Sequence, residues 1–64
     1  MRKDELMNAL EQGLTVHWKL DSYTIVKCRG DYWIRHDSQG LGMGLLDWEN
    51  NLNINPADCY VSKA

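Results

Sequence analysis

Thr15-Val16-His17-Trp18-Lys19-Leu20 alternates polar and apolar side chains with period two, the pattern of a strand with one face on a core and the other in water. Asp21-Ser22 is a turn former, and Tyr23-Thr24-Ile25-Val26-Lys27-Cys28 follows as a second strand. Arg29-Gly30-Asp31 turns the chain again into Tyr32-Trp33-Ile34-Arg35-His36. Strands joined this tightly pair as an antiparallel meander. Val16, Trp18 and Leu20 are expected inward on the first strand and Tyr32 and Ile34 on the third, with Trp33 and Arg35 pointing away.

The second strand has two registers, because a one-residue slip exchanges its faces. Three-residue connections set Val26 and Cys28 against Tyr32 and Ile34; two-residue connections turn Tyr23 and Ile25 inward instead. The first is the preferred expectation.

Upstream, Leu6, Met7 and Leu10 form one apolar stripe at helical spacing. The spacing predicts a helix from about Glu5 to Gln12, capped by Asp4 and ended by Gly13. Downstream, Leu41, Met43 and Leu45 alternate with Gly40, Gly42 and Gly44. Phosphate-binding loops set their glycines between a strand and a helix start. Here Leu45-Leu46-Asp47-Trp48-Glu49-Asn50-Asn51 follows, which reads as a strand end and a turn. The expectation is a fourth strand with an apolar inner face and a bare outer one. Such a bare strip suits either close approach by a ligand or another backbone, or a bulged edge strand. Leu52 and Ile54 add an alternating pair before a turn at Pro56 and a short terminal strand.

The expected fold is therefore α+β: one N-terminal helix packed on a twisted antiparallel sheet of four or five strands, in a single domain over residues 1–64. A core this small sits near the lower limit of independent stability, which points to a homo-oligomer. No apolar run approaches the roughly 20 residues that span a bilayer. Met1-Arg2-Lys3-Asp4-Glu5 leads straight into the amphipathic segment without an apolar signal core. A cytoplasmic location with Cys28 and Cys59 reduced is expected.

The chain carries a net charge of −2, which argues against duplex nucleic acid as a partner. The charge is uneven: residues 1–14 carry −1, residues 15–36 carry +2 and residues 37–64 carry −3. His17, His36, Cys28 and Cys59 fall in no short chelating pair. Neither a catalytic dyad nor a triad is spaced in the sequence. No enzyme activity, metal or cofactor is expected.

Two surfaces are candidates for binding. By strand parity the outer sheet face collects Lys19, Lys27, Trp33 and Arg35 around a floor of Gly42 and Gly44. An indole ringed by cations can stack and neutralise a small anionic, nucleotide-like ligand. A solvated face with basic side chains lying over Trp33 is the plainer alternative. The second surface is the acidic end, Asp47, Trp48 and Glu49. An indole in a polar loop either anchors a partner or folds back to seal the core.

The order of features carries a resemblance. Ala9-Leu10-Glu11-Gln12-Gly13 ends a helix, Val16 opens a meander, and Leu52-Asn53 precedes Pro56-Ala57-Asp58-Cys59-Tyr60-Val61. Taken together, this resembles short uncharacterised proteins encoded by bacteriophages and prophages, over most of the chain. The resemblance implies a cytoplasmic protein acting inside an infected bacterium. It further implies inhibition of a host or defence protein by covering its surface, or sequestration of a small nucleotide signal. A structural subunit of a larger assembly is the third expectation.

Overall fold

The computed structural model describes residues 1–62. The chain runs α1 (Lys3–Glu11), β1 (Val16–Trp18), β2 (Leu20–Cys28), β3 (Asp31–His36), β4 (Gly40–Gly44), a 3-10 turn at Pro56–Asp58 and β5 (Cys59–Val61). The five strands form one antiparallel sheet in the order β4-β3-β2-β1-β5. The fold is thus α+β, with the N-terminal helix against one face of the sheet.

α1 starts two residues before the expected position and is not capped by Asp4. Instead the Glu5 carboxylate reaches back and accepts the Arg2 backbone N–H at 3.0 Å, leaving Asp4 in the first turn beside the positive end of the helix. At the other end Gly13 takes φ +79°. The Gly13 N–H donates to Leu10 O and the Leu14 N–H to Ala9 O, each at 3.1 Å. That is the Schellman closure, which satisfies carbonyls the helix leaves open. Leu6, Ala9 and Leu10 are buried against Val16, Ile25, Ile34, Leu45, Ile54 and Cys59.

Two turns and one strand pairing depart from expectation. β1 ends at Trp18, where Lys19 takes φ +63° and the register with β2 jumps between His17 and Trp18. Asp21 and Ser22 consequently belong to β2, and Leu20, expected inside, is 59 % exposed. The β2–β3 turn is the two-residue kind, because Arg29 and Gly30 both lie in the left-handed region at φ +54° and +86°. Such primed turns match the twist of the strands they join. Cys28 therefore faces Asp31 and Ile25 faces Ile34, which corrects the preferred register: Tyr23 and Ile25 are the inward pair, and Val26 and Cys28 lie on the opposite face. Finally, β4 bulges against β3. Trp33 pairs with Gly44 and Arg35 with Leu41, so the extra β4 residue breaks the alternation expected of Leu41, Met43 and Leu45. Only Leu45 reaches the core; Leu41 and Met43 are 50 % and 43 % exposed.

β5 pairs with β1 on the side away from β2 and brings Cys59 into the core. Neither Cys28 nor Cys59 is in a disulfide.

Candidate functional site

After β4 the chain makes a short finger over residues 45–53. Its root is the buried Leu45, whose N–H donates to Tyr32 O on β3 at 2.9 Å. Leu46 and Leu52 form an antiparallel bridge. At the tip the Asp47 N–H donates to Asn51 O and the Asn50 N–H to Asp47 O, at 2.9 and 3.0 Å. One Asp47 carboxylate oxygen, Oδ1, also accepts the Glu49 and Asn51 amides at 2.8 and 2.9 Å. A side-chain carboxylate closing its own turn in this way is the usual role of Asp in a tight loop. Asn50 at φ +64° completes it, as asparagine tolerates that region. Asn53 Nδ2 ties the far arm to Gly44 O at 2.9 Å, and Lys3 Nζ from the helix reaches Asn50 O at 2.6 Å. Trp48 rides on this pinned tip, 93 % exposed. It does not fold back over the core.

Beside the finger lies an open depression of about 450 Å³. Its lining includes Asp31, Tyr32 and Trp33 of β3, Gly44 of β4, and Asp47 and Trp48 of the finger. Trp33 is half-buried. A Cβ built on Gly44 would lie 4.0 Å from Trp33 Cζ3, so the glycine's bare face runs beneath the indole, a cross-strand pairing in which an aromatic ring covers a glycine.

The two expected surfaces are redistributed. Trp33 and Trp48, assigned to separate surfaces by the sequence, line the same depression. The cationic ring around Trp33 is not assembled. Lys27 pairs with Tyr32 on the helix-facing side of the sheet, its Nζ 5.7 Å from the tyrosine ring. Lys19 sits at the β1–β2 turn, across the sheet from β4, with its N–H bonded to Asp58 O at 2.9 Å and its Nζ 4.8 Å over the Trp18 ring. Arg35 alone of the three shares the outer face with Trp33, where its cross-strand neighbour is Leu41 and not a glycine. Gly42 faces the β3 backbone: a Cβ there would come within 3.2 Å of Ile34 O. Glu49 is exposed on the finger.

Asp31 and Tyr32 were not singled out as site residues by sequence reasoning. Their place in the site follows from the two-residue turn at Arg29-Gly30 and from the Leu45–Tyr32 hydrogen bond, which bring the start of β3 beside the finger.

At the opposite end, the Tyr60 hydroxyl donates to Asp21, and this hydrogen bond raises the phenol above its ordinary range. Burial pushes the Cys59 thiol up, which makes it a poorer nucleophile. Among the described residues no group of three or more His, Cys, Asp or Glu side chains comes together to hold a metal ion. No helix among them is long and apolar enough to cross a membrane. No protein-family model, curated protein or solved structure matches the chain.

Proposed function

We propose that this chain is a non-enzymatic binding module whose finger, residues 45–53, docks on a partner protein with Trp48 as the anchor. The observation that carries the reading is a 93 % exposed indole on a loop held by its own hydrogen bonds. Leaving a large apolar ring in water is unfavourable, and fixing the loop that carries it lowers the ordering cost of binding. Rigid aromatic anchors of this kind dominate protein interfaces. The resemblance to phage-encoded proteins supplies the partner class, a host or defence protein of the infected bacterium, which the module inhibits by covering its surface. The same reading has the chain acting as a homo-oligomer, paired through the free edge of β4.

The test is crosslinking from the finger, with a photoreactive residue at Glu49, in the bacterium where the chain is expressed. A discrete protein adduct is expected, lost in Trp48→Ala. For the purified pair the substitution should weaken affinity at least about 30-fold, since removing an interface anchor costs about 2 kcal/mol or more. An unchanged affinity would remove the finger from the interface. Because Trp48 is outside the core, the melting temperature should barely move, as exposed substitutions change stability by about 0.5 kcal/mol or less. That separates a binding role from a structural one.

A further inference from the structure

The depression beside Trp48 has a definite electrical character. Its lining includes the aromatic residues Tyr32, Trp33 and Trp48 and the acidic residues Asp31 and Asp47, and contains neither Lys nor Arg. Aromatic faces carry negative potential and attract cations. Neither carboxylate is in an ion pair among the described residues, and the turn amides of the finger bond to Oδ1 of Asp47, leaving Oδ2 outside those bonds. Small anions meet two like charges here, whereas an organic cation meets two carboxylates and flat rings. Two of the lining residues already hold amines of the protein: Lys3 Nζ lies on Asn50 O at 2.6 Å, and Lys27 Nζ stands 5.7 Å from the Tyr32 ring.

We infer that this depression is a recognition site for a cationic side chain, a guanidinium or alkylammonium group presented by the partner, held between Trp33 and Trp48 and facing Asp31 and Asp47. The inference rests on the protein-docking reading of the finger and gives its partner a chemistry: a basic residue at the contact. Each wall has a separate support. Trp33 is set by its cross-strand position over Gly44. Trp48 is set by the Asp47 turn. The cation would also neutralise part of the −3 carried by residues 37–64.

The experiment needs no partner. The chain is titrated with N-acetylarginine amide, N-acetyllysine amide and N-acetylglutamate amide while the indole N–H resonances are followed by NMR. Trp18, whose Nε1 is buried, serves as the internal control. Saturable shifts are expected at Trp33 and Trp48 and not at Trp18, with the arginine and lysine amides and not the glutamate amide. The ratio of the two affinities identifies which cation the site prefers. Asp31→Asn should weaken binding several-fold and flatten its salt dependence, and Trp48→Ala should abolish saturation. Lys27→Met, which frees a face of Tyr32, should tighten it. Non-saturating drift with all three amides, or tighter binding of the glutamate amide, overturns the cation site. Neither result touches Trp48 as an anchor, which stands or falls on the crosslinking experiment.

Discussion

Cys59 shows how one small side chain ties the end of the chain to the core and makes its stability depend on pH. The residue is buried on β5 beside β1. Burial disfavours its thiolate, the charge of Asp58 adds to that effect and the N-terminal ammonium opposes it, so the folded protein holds the thiol proton more tightly than the unfolded chain does. The stability gained is fully present below the ordinary thiol pKa of about 8.5 and is lost as pH rises through the raised value of the folded state. Tyr60, its phenol raised chiefly by the hydrogen bond to Asp21, works in the same direction at still higher pH. Urea midpoints measured from neutral pH upward should therefore fall on the alkaline side, and less steeply in Cys59→Ala. A flat midpoint across that range would show that neither group is coupled to folding. At neutral pH a thiol reagent should modify the half-buried Cys28 well before Cys59.

Glycine plays two roles in β4, and substitutions separate them. Gly44 needs no special backbone angle, and a Cβ there would make ordinary contacts, 3.6 Å to Leu46 O and 4.0 Å to Trp33 Cζ3. Gly44→Ala should raise stability by about 0.4–1 kcal/mol, because it restricts the unfolded chain. In Gly42→Ala the new Cβ would stand 3.2 Å from Ile34 O, a backbone atom of a paired strand with little room to yield, and a loss of about 1 kcal/mol or more is expected from overpacking. Opposite signs in chemical denaturation would support this assignment; equal effects would contradict it. The same strand shows where sequence reading ended. Helix α1 was legible because Leu6 and Leu10 share a stripe and Gly13 ends it. The meander was legible because alternation marks strands. A bulged edge was one of the two readings the glycine strip offered, but the position of the bulge left no signal, since glycine has no side chain whose parity can be counted. The turn at Arg29-Gly30 was hidden because arginine is not a usual left-handed residue, and that turn decides which face of β2 is buried.

At the scale of the whole molecule, Trp33, Gly44, Asp47 and Trp48 were named from the sequence on two separate surfaces, but their joining in one depression was not legible, because a sequence shows neighbours along the chain and not across it. Trp33 and Trp48 line one depression because the Leu45 N–H bonds to Tyr32 O and sets the root of the finger beside β3. A second long-range consequence is the arrangement of edges. β4 and β5 close the two ends of the sheet. The β5 edge is three residues long and begins next to Asp58, with Asp21 bonded to Tyr60. A two-fold pairing there would bring these charges against their copies. β4 is different: residues 38–46 contain no charged side chain, and Leu41 and Met43 stand out from it half exposed. Native sheets guard a free edge with lysine, proline or inward-pointing charge; here the bulge is the only such device along the strand. A second copy related by a two-fold axis can therefore add its β4 to this one without like-charge repulsion, covering apolar side chains in a chain whose core is small. Sedimentation equilibrium should find twice the chain mass for the wild-type protein and the single-chain mass for Leu41→Lys, which sets a cation against its own copy. Leu41 is outside the core, so the far-ultraviolet circular dichroism of the variant should remain that of the folded chain. A wild-type protein that stays at single-chain mass at high concentration would show that the bulge is protection enough, and would leave the finger to act from a monomer.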